Sequence, residues 1–151
     1  NKRKMKRIGI ILIGLALMAN MACADNDKVT NNINELPQVS RTFLSNYFNG
    51  NKVSHIKIDK DLFLIDSYDV ILTDGTSVEF NRDGEWKEVK SFQQNIPDTL
   101  IPAEIKQYVN QNYPSQKIMT VERGKRKVSV DLANGLELKF DLNGNLIDID
   151  D

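Results

Sequence analysis

The sequence predicts an α+β protein built as two tandem αβ4 repeats, each a helix followed by four antiparallel strands. Three observations lead there. Residues 36–90 and 101–151 read as two copies of one unit. Both copies are punctuated by Asp-Gly or Asn-Gly turns. Between the turns, apolar and polar residues alternate with the period of strands that bury one side.

The repeat is legible residue by residue. Leu36-Pro37 matches Ile101-Pro102, Phe43 matches Tyr108, and Phe48 matches Tyr113. Tyr68, Val70 and Leu72 match Val128, Val130 and Leu132. Asp74-Gly75, Phe80 and Asp83-Gly84 match Asn134-Gly135, Phe140 and Asn143-Gly144. The early pairs are 65 residues apart and the late ones 60, so the second copy lacks five residues between its first two strands.

In chain order, residues 1–24 come first. Lys2, Arg3, Lys4, Lys6 and Arg7 form a positive head, Ile8 to Ala19 is apolar, and Ala22-Cys23-Ala24 is a small-x-small site. That order is a secretory signal peptide. The apolar stretch is short for a membrane span of about 20 residues. Lipidation at Cys23 is the alternative, although Asn20-Met21-Ala22 matches the usual residues before a lipidated cysteine only in its last position. Residues 25–35 are polar and asparagine-rich and read as a flexible N-terminal arm. Residues 36–151 then form a single domain.

Leu36 to Phe48 reads as the first helix, with proline at its first position, where a missing N–H costs nothing. Val39, Phe43, Leu44, Tyr47 and Phe48 give it one apolar stripe. Asn49-Gly50-Asn51 ends it. Ile101 to Tyr113 repeats the design, with Ile105, Tyr108, Val109 and Tyr113 on one side and Pro114 as the stop. The expected strands are Lys52–Asp59, Phe63–Thr73, Ser77–Asn81 and Glu85–Lys90, then Lys117–Glu122, Lys127–Leu132, Leu136–Asp141 and Leu146–Ile149.

The turns fix the register. A two-residue Asp74-Gly75 loop would split the apolar residues between faces. A three-residue Thr73-Asp74-Gly75 loop sets Val70 opposite Val78 and Tyr68 opposite Phe80, all on one face. The same test selects Arg82-Asp83-Gly84, Ala133-Asn134-Gly135 and Leu142-Asn143-Gly144, each with glycine in the left-handed position. One face is then apolar, for the helices to cover. The other is polar and open: Asp69, Ile71, Thr73, Ser77, Glu79, Asn81, Lys87, Ser129, Asp131, Glu137 and Lys139.

Charge and composition exclude several classes of function. The chain has 20 Lys+Arg and 21 Asp+Glu; the leader carries five of the basic residues and no acidic one, which leaves 15 against 21, a net −6. An acidic chain is a poor partner for nucleic acid. Beyond the leader there is no cysteine and a single histidine, His55, on a strand. Neither a nucleophile–base pair nor a zinc set can be assembled, so no enzyme activity and no cofactor is expected. Asp141, Asn143, Asn145 and Asp148 could offer oxygen atoms to calcium, but Gly144 falls too early for a twelve-residue calcium loop. Arg123, Lys125, Arg126 and Lys127 form a basic tip around Gly124. Trp86, paired with Phe80, reads as core packing ahead of an interface anchor.

On Leu36-Pro37, Phe43, Phe48, Tyr68, Gly75, Phe80, Gly84 and Trp86, and on Ile101-Pro102, Tyr108, Tyr113, Leu132, Gly135, Phe140 and Gly144, the chain resembles the PepSY-like, β-lactamase-inhibitor-protein-like family of bacterial envelope proteins. The resemblance implies one curved antiparallel sheet of eight strands with both helices on one face. It also implies a periplasmic or secreted location, and binding or inhibition of another exported protein through the open face. Membrane attachment enters only through Cys23. The residues expected to meet the partner are Asp69, Ile71, Glu79, Lys87, Asp131, Glu137 and Lys139, with Ile71 the one apolar member. A small-ligand or calcium-binding periplasmic protein is the alternative.

Overall fold

A computed structural model describes residues 27–151. The expected signal peptide and Cys23 lie outside the described residues. The sheet has nine strands, not eight, in strict sequence order and antiparallel throughout. Its elements are β1 (Lys28–Thr30), α1 (Gln38–Tyr47), β2 (Val53–Asp61), β3 (Leu64–Leu72), β4 (Ser77–Asn81) and β5 (Trp86–Lys90). They continue with α2 (Ala103–Asn112), β6 (Ile118–Arg123), β7 (Lys127–Leu132), β8 (Glu137–Asp141) and β9 (Leu146–Asp150).

The additional strand corrects the reading of residues 25–35 as a loose arm. Lys28, Val29 and Thr30 pair with Ile58, Lys57 and Ile56 of β2. Asp27 also reaches across to the Lys57 ammonium, 2.9 Å away. The segment has no apolar period of its own; it is ordered by the edge it covers.

All four three-residue turns form as the alternation requires. Leu72 N–H donates to Thr76 O and Gly75 N–H to Leu72 O, and the same two bonds recur around residues 82–84, 133–135 and 142–144. Gly75, Gly84, Gly135 and Gly144 all have φ between 81° and 92°, a region costly for a side chain with a Cβ. Asx side chains secure the turns. Asp74 and Asn134 each accept the N–H two residues on; Asn81 and Asp141 each accept two N–H groups of the following turn.

This register produces one buried row across the sheet: Ile56, Val70, Val78, Val89, Val121, Val130 and Leu138 stand successively opposite one another, all with no exposed surface. Both helices cover this face. Phe43 of α1 meets Phe80 edge-on at 5.6 Å, and Tyr108 of α2 meets Phe140 edge-on at 5.4 Å. Each such buried side chain contributes roughly 1.5–3 kcal/mol before entropy is subtracted.

The helices differ from expectation at their starts. Pro37 and Pro102 sit one position earlier than expected, as the capping residues before Gln38 and Ala103. Val39 turns outward and is 55% exposed, while Ser40 is buried. Ser40 Oγ donates to Gly84 O at 2.9 Å, so a small side chain lets α1 seat on the 82–84 turn. A Cβ on Gly84 would stand 2.6 Å from Pro37 Cβ.

Candidate functional site

Alternation puts every second residue of each strand on the face away from the helices, and the register lines those residues up. Lys57 stands opposite Asp69, Asp69 opposite Glu79, Glu79 opposite Glu88, and Glu88 opposite Glu122. The row continues through Ser129, Lys139 and Asp148. Its centre is four consecutive carboxylates on four neighbouring strands. Directly opposed side chains have Cβ atoms roughly 4.5–5.5 Å apart, and like charges so placed destabilise a sheet.

The electrostatics of the row follow first from burial and then from that crowding. Burial, a hydrogen bond with Asp59, and the charges of Asp59 and Glu79 push the Asp69 carboxyl up to about 7. Burial and the Glu122 charge raise Glu79, and burial and the Glu79 charge raise Glu88. Lysine charges offset these shifts in part, Lys57 at Asp69, Lys87 at Glu79 and Lys90 at Glu88, while the ion pairs of the row's own lysines lie with other carboxylates. Lys57 bridges Asp27 and Asp59, and Lys139 bridges Glu137, Asp148 and Asp150. Among the described residues no salt bridge reaches Asp69, Glu79, Glu88 or Glu122. Ser129, buried beside Glu122 in the row, has an Oγ with no hydrogen-bond partner among the described residues.

Of the residues expected to face a partner, Asp69, Glu79 and Lys139 lie in this row. Ile71, Asp131 and Glu137 lie in the adjacent one, which runs Ile71, Ser77, Lys90, Thr120, Asp131, Glu137. Burial raises Asp131 as well. Lys87 lies beside the row at a bulge, its charge acting on Glu79. The pairing of β4 with β5 shifts between Phe80–Trp86 and Glu79–Glu88, which leaves Lys87 as a bulge residue with no partner in the ladder. It lines a groove with Val39 and Phe43 on the helix side. Glu88 joins the row opposite Glu79. The signal was in the sequence: Trp86 and Val89, both inward, are three apart, as are Leu146 and Ile149 at the matching shift between β8 and β9. Glu122 went unseen because its place depends on β5 pairing with β6, which no local pattern announces.

The remaining candidates have ordinary roles. His55 is exposed on β2, its Nδ1 3.4 Å from Ser54 Oγ. The Asp141 carboxylate is occupied by Asn143 and Asn145, whose donation holds it below the usual range. Among the described residues no three acidic, histidine or cysteine side chains converge as a metal-ligand set. Trp86 is half-buried, 5.8 Å from Phe43, and the Arg123 guanidinium lies 4.7 Å from its ring centre.

Comparison with known proteins agrees with this architecture. Residues 66–148 match the family described as "Putative beta-lactamase-inhibitor-like, PepSY-like". No curated protein matches the chain. Among solved structures, it is similar to a "putative calcium-regulated periplasmic protein" from Bacteroides thetaiotaomicron: 41% identity, TM-score 0.77, covering 83% of this chain and 98% of that one. It is similar also to a "putative periplasmic protein" from Bacteroides vulgatus, at 44% identity and TM-score 0.75, covering 85% of this chain and 99% of that one. A second Bacteroides vulgatus periplasmic protein, described as of unknown function, is 40% identical with TM-score 0.77, covering 83% and 99%. Among the described residues no helix is long and apolar enough to cross a membrane.

Proposed function

The chain belongs to the PepSY-like, β-lactamase-inhibitor-like family, and from that premise we propose that it is a non-catalytic, exported binding module. Residues 1–24 direct export to the periplasm, where its Bacteroides relatives are described, or beyond it. Residues 36–151 are two copies of one αβ4 unit. The open sheet face meets another exported protein, as an inhibitor or a sensor of it.

One observation carries this reading: the row Asp69, Glu79, Glu88 and Glu122, four opposed carboxylates that nearby lysines offset only in part and that no salt bridge among the described residues reaches. A fold gains nothing from like charges set side by side. A partner presenting lysine or arginine relieves that repulsion and supplies the missing counter-charge, which also favours fast encounter. Ile71, half-buried in the adjacent row, adds an apolar contact at the centre of the polar face.

The test is crosslinked capture from the native cell envelope, comparing the wild-type chain with Glu79→Gln/Glu88→Gln at low and high salt. The reading expects a protein held by the wild type, released by salt and at least tenfold depleted with the double variant. A partner captured equally by both would place binding elsewhere. Intact mass of the exported chain decides the fate of Cys23, since a chain starting at Asp25 removes the lipid-anchor alternative.

A second reading draws on the description of the Bacteroides thetaiotaomicron relative as calcium-regulated. In it the protein takes up calcium or a small ligand at the sheet's concavity or the acidic turns. A melting temperature that rises with calcium and falls back with chelator supports it. Loss of that rise in Glu79→Gln/Glu88→Gln would locate the ion at the row.

A further inference from the structure

Two features at one end of the sheet complement each other. The first is the tip of the β2–β3 hairpin. Residues 60–65 extend past both neighbouring strands, since β1 stops opposite Ile58 and β4 stops opposite Ser67. Leu62, Phe63 and Leu64 are 80%, 88% and 69% exposed. Three adjacent, large apolar side chains held in solvent are unlike the scattered exposed residues of an ordinary surface. The backbone there is strained as well: Leu62 has φ 57° and Phe63 φ 153°, without glycine. The four three-residue turns put glycine at their positive φ; this turn keeps bulky residues instead. Strain of this kind persists where a site needs it. Asp61 and Asp66 flank the tip, against Lys60, while Asp59 is held by Lys57.

The second feature is the groove on the helix side beside the β4–β5 and β6–β7 turns. Val39, Phe43 and Trp86 give it an apolar floor. Lys87, Arg123 and Lys125 rim it, with Glu85 the acidic member. Among the described residues none of these three cations forms a salt bridge. An apolar knob with acidic flanks therefore has its counterpart, an apolar groove with a basic rim, on the same chain.

The geometry points to a homodimer in which the Leu62–Leu64 knob of each copy seats in the Val39–Phe43–Trp86 groove of the other. Knob and groove lie at the same end of the sheet, because Asp61–Leu64, the 82–84 turn and the 123–128 turn all close at that end. A two-fold axis thus makes both contacts at once, and the assembly closes at two copies. The carboxylate row, on the opposite face from the groove, stays free for a different partner. Acidic flanks also set the knob against an anionic lipid surface.

Charge reversal tests this directly. Sedimentation velocity over a concentration series is run on the exported chain, on Asp61→Lys/Asp66→Lys, on Arg123→Glu/Lys125→Glu, and on their equimolar mixture. The wild type is expected to dimerise at high concentration and to dissociate with salt. Each reversal alone weakens dimerisation at least tenfold, and mixing the two restores it, because the mixed dimer has two attractive contacts and each homodimer two repulsive ones. Leu62→Asn/Phe63→Gly, which relaxes the turn, is expected to be monomeric with an unchanged or higher melting temperature. A wild type that is monomeric up to about 1 mM, or reversals that leave dimerisation unchanged, would overturn the proposal. Binding of the wild-type knob to vesicles with no self-association overturns it as well.

Discussion

The two halves of the sheet carry the same helix-and-meander order but manage charge and edges in opposite ways. In the second half the polar row is Ser129, Lys139 and Asp148, and one lysine at the centre answers Glu137, Asp148 and Asp150. In the first half the same row is Lys57, Asp69, Glu79 and Glu88, meeting Glu122 of the second half; its one lysine, Lys57, stands at the outer end and is shared with Asp27 and Asp59. The first hairpins diverge too. In the first half it is long and apolar at its tip; in the second it is short and basic, Arg123 to Lys127. The far edges also diverge. Val89 is fully buried because β6 pairs with β5, whereas Ile149, at the corresponding place on β9, is 43% exposed. One scaffold thus holds a half whose lysine sits among its carboxylates and a half whose lysine sits at the outer end of its row.

The largest expected effect concerns what the halves share. Phe80→Ala and Phe140→Ala should each cost about 3–5 kcal/mol, since each ring fills the space under its own helix. Because β5 and β6 join the halves into one sheet, both variants should still unfold in a single step. Urea curves followed by Trp86 fluorescence and by circular dichroism should coincide. Separate transitions would show that the halves fold independently.

Next come the turns. Gly135→Ala should cost about 1–2 kcal/mol from its left-handed backbone alone. Gly84→Ala and Gly144→Ala should cost more, because their added Cβ would also stand 2.6 Å from Pro37 Cβ and 2.4 Å from Glu104 Cβ. Equal melting temperatures for the three would contradict the tight seating of each helix on its second turn.

Smaller effects distinguish the charge patterns. Glu88→Gln removes a like charge from the first-half row and should raise stability by about 0.2–1 kcal/mol while weakening partner capture. Lys139→Met, in the second half, should lower stability. Stability should also vary with pH. Asp69, raised from 3.8 to about 7, binds its proton more tightly folded than unfolded. The stability gained from that proton is fully present below pH 3.8 and is lost as pH rises to about 7. The melting temperature should therefore climb as pH falls from 8 towards 5, and climb less in Glu79→Gln/Glu88→Gln. Asp27, Glu35 and Asp141 shift the other way and withdraw stability only at more acid pH.

Much of the fold was legible because glycine position and period-2 alternation together allow one register for each hairpin. Tyr68 opposite Phe80 and Val128 opposite Phe140 follow from those two constraints. What escaped depended on distant partners. β1 exists because β2 offers it an edge. Ser40 replaces Val39 on the buried side because the 82–84 turn presses on α1. The candidate site was half legible: alternation put Asp69, Glu79 and Lys139 on the open face, but the bulge at Lys87 brought in Glu88, and the β5–β6 pairing brought in Glu122. For the apolar tip at Leu62 and Phe63 the sequence yields only a strand starting at Phe63, since its protrusion depends on where β1 and β4 stop.

The sharpest measurement is an NMR titration of the side-chain carboxyls in the unbound protein. Asp69 should titrate near 7, with Glu79 and Glu88 above the ordinary glutamate range, and Glu79→Gln should bring Asp69 down. If Asp69 instead titrates near the ordinary aspartate value and ignores Glu79→Gln, the open face holds no uncompensated charge, and the case for a cationic partner there fails.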